Sequence, residues 1–447
     1  MHVSNHYAAE SCLVLAAVLG LGAIYVPLNP RAGSHDLSRL VELTDPKVVI
    51  TSAPTLAALT PSRGGKRAVW DVRALRGIML GYAPATLSDV SPEADAAILC
   101  TSGTTGAPKG AVYTHEGLCR VAERTVVASL GPEADLPLLG PGDVFQTPVP
   151  LYTSSGPMNV MIPILYQGYT GPIQSTFDAQ DTLRLADARR TSALFAVPAM
   201  IALMVEVAGK GSLSDLRCLL TGAAPTPAEL LQRTESLWPE VSIVNTYGST
   251  EAGGAMTVTF GPTLRAHPGA AGFPMAGYAV RLITEFTDGD TDGVGSVQVR
   301  GPGVMREFFS NPEATAETIS DEGWGTVGDL GRMDGGLLCL AGRKHDMIIR
   351  GGFNIMPREA EATLEGHPRV LEAGVVGTQH AILGEDLVAF VVLRPAAEGI
   401  SDGELRTYCL ERLSDYQVPR QIRVVHDPLP RNPHGKLTRT ELAGWLS

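Results

Sequence analysis

The chain has 447 residues, 44% of them hydrophobic and 18% charged, and a formal charge of −12. That length exceeds one ordinary domain and gives room for two or three with substantial cores. The acidic balance excludes a generic nucleic-acid surface, because phosphate backbones select basic faces; a small polyanion can still bind where local backbone donors and a few cations converge.

The run over residues 12–28 is uncharged and mostly apolar. A secretory leader would place Lys or Arg before it, whereas residues 1–11 contain neither and carry Glu10. Gly20, Gly22 and Pro27 interrupt the run, which is short for a membrane span, so it reads as a buried helix leading into a strand at 23–27. No targeting segment is visible, and a cytoplasmic location is expected. Helical spacing follows at 37–43, then strands at 47–51 and 96–101. The alternation continues with a helix at 182–191, a strand at 192–197, a helix at 199–207 and a strand at 216–221. Such alternation implies an α/β domain. From about residue 279 the segments become short and β-like, at 280–283 and 295–300, and suggest a smaller antiparallel part of the same large domain. Beyond Asp346 a separate pattern begins (359–365, 370–377, 387–393, 402–413, 422–425), which reads as a small α+β domain. The six cysteines, Cys12, Cys100, Cys119, Cys218, Cys339 and Cys409, form no CxxC pair. They are expected to be reduced and mostly buried, with neither a disulfide framework nor a cysteine-ligated metal.

The strand at 97–100 runs into Thr101-Ser-Gly-Thr-Thr-Gly-Ala-Pro-Lys-Gly110. Gly103, Gly106 and Gly110 allow positive φ and inward-turned N–H groups. The hydroxyls of Thr101, Ser102, Thr104 and Thr105, with Lys109, add donors, so the loop can cradle a polyphosphate. The plain alternative is a Ser/Thr/Gly surface loop; the lysine and the preceding strand favour the nest. A Walker loop would need Ser or Thr after the lysine, and Gly110 stands there.

The run resembles the phosphate-binding signature of the acyl-adenylate-forming superfamily: acyl-CoA synthetases, adenylation domains of peptide synthetases, and firefly luciferase. Further segments match that family in order. They are Asn245-Thr-Tyr-Gly-Ser-Thr-Glu251, Gly328-Asp329, Gly342-Arg343 with Asp346 and Gly351-Gly352, and Pro430-Arg-Asn-Pro-His-Gly-Lys436. The resemblance implies a large N-terminal α/β AMP-binding domain with mixed sheets over 1–342, a hinge at 343–345, and a small mobile α+β domain over 346–447.

It also implies ATP, Mg2+ and CoA, and a reaction in which a carboxylate attacks the α-phosphorus of ATP. By similarity Glu251 and Thr104 would hold Mg2+, Tyr247 would stack near adenine, and Thr250 would meet the α-phosphate or the carboxylate. The segment Gly222-Ala223-Ala224-Pro225, with Asn245, Thr246 and Gly248, would line the adenine and acyl sites. Asp329 would accept from both ribose hydroxyls, as an ionised carboxylate can. Thr326-Val327 stand before it where the family often has Arg-Thr. Arg343 would be the second ribose and phosphate contact. Lys436 would bridge carboxylate and α-phosphate. Because Lys436 and the phosphate loop lie in different domains, the domains would close for adenylation and then rotate to admit the thiol past Gly352. His345 occupies the hinge position usually held by Asp or Lys; its charge could change near neutral pH, although a tolerated polar linker residue is the plainer reading.

The acid pocket is expected around Pro150-Leu-Tyr-Thr-Ser-Ser-Gly156. Peptide-synthetase domains place an aspartate near here to hold an amine, and this chain has none. Acyl-CoA synthetases commonly have a histidine where Thr153 stands, after Tyr152. Met158, Met161, Ile162 and Leu165 follow at helical spacing and would line an acyl pocket or simply form core. The family usually has some dozens of residues ahead of the segment resembling residues 3–30. The sequence is therefore truncated, mis-assigned at its start, or short of a piece that others carry. Three readings remain: an acyl-CoA ligase for a fatty, aryl or polycyclic acid, an enzyme that loads a carrier protein, and an idle homologue that binds an adenylate. Neither a nucleic-acid partner nor a membrane span is expected.

Overall fold

The computed structural model describes residues 2–3, 8–29, 34–51, 67–75, 77, 86–101, 109–123, 139–174, 176–209, 212–224, 226–284, 293–343, 346–350, 353–395, 399–431 and 437–446. The chain divides into two compact units, Met1–Val280 with Val299–Val327, and Arg281–Gln298 with Gly328–Ser447.

The first unit is built on a mixed sheet. Its strands lie in the order Ala270–Pro274, Gly254–Phe260, Ser242–Ser249, Cys218–Gly222, Ala193–Phe195, Phe145–Gln146. The last four run parallel, and the first three are joined antiparallel. Strands Ala193–Phe195 and Cys218–Gly222 are buried at every position, as central parallel strands must be when helices cover both faces. Helices Ala179–Arg189, Pro198–Val207 and Ala228–Leu237 cross between them. Their apolar faces meet the sheet in one cluster that includes Leu183, Leu194, Ile201, Met204, Leu219, Leu230 and Trp238. The helix starts are encoded locally. Asp178 accepts from the Asp181 N–H at 2.8 Å, and Pro198 opens its helix where no N–H is needed. A second sheet joins Asp95–Thr101, Lys109–Thr114 and Glu307–Phe308, all antiparallel.

The second unit holds most of the hairpin Gly325–Asp334 and Leu337–Arg343, and most of the strands Ala279–Ile283 and Gly295–Arg300 beside it. Its other sheet pairs Val370–His380 with Gly384–Leu393 and adds Ile348–Arg350, Phe353–Ile355 and Gln421–Val425. The two-residue alternation of strands makes this sheet two-faced. Val375, Ala389 and Val391 turn to a core shared with Ala360, Leu364 and Leu405, from helices Pro357–Glu365 and Asp402–Leu410. Val376, Val388 and Phe390 turn the other way, onto Leu429 and Leu442. The fold is thus α/β, a large mixed-sheet part followed by a small α+β part.

Three local expectations change. Residues 12–28 are only partly the buried helix and strand expected: Val14, Leu15, Tyr25, Val26 and Leu28 are buried. The helix Ala8–Gly20 leaves Leu13 exposed, with Leu21 and Ile24 exposed just beyond it. The expected strand is reduced to isolated bridge positions at Tyr25, which pairs with Ala97, and at Pro27, after the left-handed turn at Gly22 (φ 66°). The thiols are less buried than expected. Cys218 and Cys409 are buried, Cys12, Cys100 and Cys339 are partly so, and Cys119 is exposed; all are free. The stripe from Met158 to Leu165 is broken by a π-helical turn over Pro157–Met161, whose i→i+5 bonding rotates the following face. Met158, Met161 and Ile162 stay buried while Leu165 is exposed. Among the described residues no helix is long and apolar enough to cross a membrane.

Candidate active site

The turn between strands Ser242–Ser249 and Gly254–Phe260 carries Thr250 and Glu251. Gly253 (φ 80°) and Gly254 (φ 95°) close it in the left-handed region that side chains avoid. Several elements brace it. The Tyr113 phenol and the Gly253 N–H (3.1 Å) both donate to the Thr250 carbonyl. The Met305 N–H donates to the Glu251 carbonyl at 2.9 Å, and the Tyr278 phenol to the Ala252 carbonyl at 3.2 Å. The Thr250 hydroxyl donates to Ser154 Oγ at 2.9 Å. Burial holds the Tyr113 phenol well above its ordinary value, and the Glu251 charge adds to that effect. Tyr113 therefore stays a neutral donor beside a carboxylate. Among the described residues no three His, Cys, Asp or Glu side chains converge around Glu251. A lone carboxylate of this kind fits a magnesium ion that takes its remaining oxygens from phosphates and water.

Across the sheet, Gly222 stands opposite Thr246, and Thr221 opposite Asn245. A Cβ on Gly222 would lie 2.5 Å from the Thr246 carbonyl oxygen, so only glycine permits this approach. The next residue, Ala223, is held at φ 65° and is exposed. A left-handed alanine costs about 1–2 kcal/mol, and such strain concentrates at ligand clamps. Ala224 follows, half-buried. The polar side chains here are already engaged. Asn245 donates to the Ala270 carbonyl at 3.2 Å and accepts from Thr226 Oγ1 at 3.3 Å, while Thr246 donates to the Thr221 carbonyl at 3.0 Å. Tyr247 is half-buried beside them. Gly248 runs so close to the neighbouring strand that a Cβ would lie 1.6 Å from the Gly254 carbonyl oxygen.

On the acid-pocket side, Thr153 is buried and donates to the Pro150 carbonyl at 2.9 Å; Tyr152 is half-buried. A Cβ on Gly156 would strike Leu151 backbone atoms at 2.4–2.6 Å, so the turn into the π segment requires glycine. Met158 and Met161 are fully buried. Asn159 Oδ1 accepts from the Ala255 N–H at 3.4 Å, which ties this segment to the strand after the Glu251 turn.

Thr101 and Lys109 are paired across the second sheet, so Ser102, Gly103, Thr104, Thr105 and Gly106 belong to the connection between them and lie outside the described residues. Lys109 Nζ sits 5.1 Å above the Phe308 ring. In the second unit Asp329 and Arg343 face one another across the hairpin, and Gly328 precedes Asp329 at φ 77°. His345, Gly352 and Lys436 lie outside the described residues. Arg431 and Leu437 form an antiparallel bridge on either side of residues 432–436, and the Thr438 N–H donates to the Pro430 carbonyl at 2.8 Å.

Sequence reasoning passed over Tyr113, Ser154 and Asn159. Ser154 and Asn159 were within reach, since they lie in the segment singled out for the acid. Tyr113 gave no signal, because an aromatic residue in a strand reads as core.

Residues 7–309 match the AMP-binding enzyme family, and residues 359–436 match the AMP-binding enzyme C-terminal domain. A 2-succinylbenzoate–CoA ligase of Geobacillus kaustophilus is 32% identical over 435 residues, which is 97% of this chain and 85% of that protein. A feruloyl-CoA synthase of an Amycolatopsis species is 33% identical over 429 residues, 94% of this chain and 83% of that protein. Among solved structures, ATP-bound MatB from Rhodopseudomonas palustris superposes with a TM-score of 0.88 at 26% identity, covering 99% of this chain and 88% of that one. The Bacillus subtilis o-succinylbenzoate CoA synthetase with ATP and magnesium gives 0.83 at 28% identity, covering 99% and 88%. The chain therefore belongs to the AMP-binding enzymes, in their acyl-CoA synthetase branch, and is an AMP-forming acid–thiol ligase.

Proposed function

We propose that this ligase activates an apolar, preferentially aryl, carboxylic acid, with Glu251, Thr250 and Lys436 carrying the first half-reaction. The observation that supports the substrate class is the uncharged run from Pro150 to Leu165, which packs Met158 and Met161 inward and offers no charged side chain. Relatives named for 2-succinylbenzoate and ferulate, both acids that carry an aromatic ring, support the aryl preference.

In the first step a carboxylate oxygen attacks the α-phosphorus of ATP, and the bond to pyrophosphate breaks. Glu251 would hold Mg2+, joined by Thr104, and the ion when bound offsets phosphate charge. Thr250 donates to the α-phosphate or the carboxylate, and Lys436 bridges the two, so that donors meet charge where it develops. The backbone of Gly222, Ala223, Ala224, Asn245, Thr246 and Gly248, with the Tyr247 ring, forms the adenine wall. Asp329 and Arg343 take the ribose. Thr101, Ser102, Gly103, Thr105, Gly106 and Lys109 take the phosphates. Tyr152, Thr153, Met158, Met161 and Gly222 wall the acid. In the second step the CoA thiol attacks the acyl carbon and AMP leaves. Gly352 keeps the thiol path open, and 343–345, with His345, serve as the hinge. We place the enzyme in the cytoplasm.

A panel of 2-succinylbenzoate, ferulate, sulfoacetate and a long-chain fatty acid, assayed for pyrophosphate release with and without CoA, tests this reading. An aryl acid should lead, with a CoA thioester as product. Adenylate without thioester would favour a carrier-protein acceptor, and no release with any acid would sink the assignment.

A further inference from the structure

Two adjacent hydroxyls in the acid segment are committed differently. Thr153 donates to the Pro150 carbonyl and closes its own turn. Ser154, half-buried, accepts from Thr250 Oγ1 at 2.9 Å, a partner 96 residues away in sequence. The Thr250 carbonyl is held by the Tyr113 phenol and the Gly253 N–H. The main chain at Thr250 is therefore fixed, and Ser154 orients its hydroxyl.

A hydroxyl carries one proton, whereas carboxylate and phosphate oxygens only accept. Across this 2.9 Å contact either hydroxyl can donate, and while Thr250 donates to Ser154 its proton is unavailable to an anion. When an acceptor-only group arrives, Thr250 can turn its proton onto it while Ser154 donates its own proton back to Thr250 Oγ1. Neither oxygen has to move, and the Thr250 oxygen stays hydrogen-bonded throughout. A hydroxyl that accepts one hydrogen bond also donates more strongly, because linked hydrogen bonds polarise one another.

We propose that Ser154 is a positioning residue for adenylation, acting through Thr250: it donates to Thr250 Oγ1 when Thr250 gives its proton to the arriving carboxylate or α-phosphate. This rests on the role given to Thr250 above. It also gives the acid segment a polar link to the reacting centre at the residue after Thr153.

The test is a double-mutant cycle in the full-length enzyme with Ser154→Ala, Thr250→Ala and the pair. Two rates are measured with the fastest acid of the panel: acid-dependent pyrophosphate release, and thioester formation from the premade acyl-adenylate and CoA. Losing one charge-directed hydrogen bond should slow adenylation about tenfold in Ser154→Ala. Thr250→Ala should slow it at least as much, and adding Ser154→Ala to it should cost less than about twofold, as for residues acting through one contact. The thioester step should stay within about twofold in Ser154→Ala, which also reports an intact fold. Adenylation by Ser154→Ala within twofold of the parent enzyme would overturn the proposal. So would a tenfold loss that persists on the Thr250→Ala background, or an equal loss in both half-reactions. Unchanged adenylation in Thr250→Ala would instead refute the role of Thr250 itself.

Discussion

Glu361 and Arg439 form an ion pair at 2.8 Å within the second unit, with the glutamate side chain 4% exposed. Glu361 lies on the helix Pro357–Glu365, and Arg439 begins the short helix Arg439–Ala443, three positions after Lys436. The same carboxylate accepts from the Val375 N–H at 2.9 Å, and Arg439 Nε lies 3.4 Å from Asp346. Arg439, three residues after Lys436, is thereby tied to Asp346, the residue after the proposed hinge.

Removing one partner of a buried pair leaves the other charge uncompensated. Arg439→Met should lower the stability of this unit by about 3 kcal/mol, and Glu361→Met by a similar amount. The double substitution, Glu361→Met with Arg439→Met, should cost less than either alone, because no charge is left stranded. Chemical denaturation of the single and double variants checks this ordering.

The same pair predicts a pH dependence. Burial pushes the Glu361 carboxyl above the ordinary carboxylate value, against the opposing pull of Arg439, the Val375 N–H and Arg358. Between the ordinary and the raised value the folded chain keeps a proton that the unfolded chain has released. Stability from this group therefore falls as pH rises through that window, and is lowest once Glu361 is ionised. Glu361→Gln should remove this component, leaving a flatter plot of unfolding midpoint against mildly acidic pH. An unchanged slope would exclude Glu361 as its source.

Ala223 separates stability from binding. Glycine at φ 65° relieves the left-handed penalty, so Ala223→Gly should raise stability by about 0.5–1 kcal/mol. It should also raise the KM for ATP, because the proposed adenine wall is then less preorganised. Thermal unfolding and ATP titration of pyrophosphate release should move in these opposite senses.

Gly248 has no such freedom. A Cβ 1.6 Å from the Gly254 carbonyl oxygen would push two paired strands apart. Gly248→Ala should cost at least about 3 kcal/mol, shown as a lowered unfolding midpoint and loss of adenylation.

Lys436→Ala should abolish acid-dependent pyrophosphate release while thioester formation from supplied acyl-adenylate continues. A parallel loss of both half-reactions would place Lys436 outside the adenylation step.

Much of this architecture is legible in the sequence because the signals are local. Alternating helices and strands between 182 and 221 report a sheet covered by helices. Ordered motifs report the chemistry. What stays hidden depends on contacts between distant segments. Nothing near Tyr113 indicates that its phenol ends on the Thr250 carbonyl, and nothing near Ser154 indicates its partner. The π turn at Pro157–Met161 is invisible to a 3.6-residue template, so Leu165 falls on the wrong face. Residues 12–28 mislead for the opposite reason: apolar composition suggests burial, yet one side of that helix is exposed.

The bracing of the Thr250–Glu251 turn has a consequence for how this enzyme can change. Its main-chain supports come from Tyr113, Tyr278, Met305 and its own Gly253. None of these lies in the acid segment at 150–165. Substrate range can therefore drift, or be redesigned, through residues such as Met158 and Met161 while the turn that presents Glu251 keeps its shape. A library varied there should return enzymes with new acids and an unaltered dependence on magnesium, whereas one varied at 248–254 should return few active members.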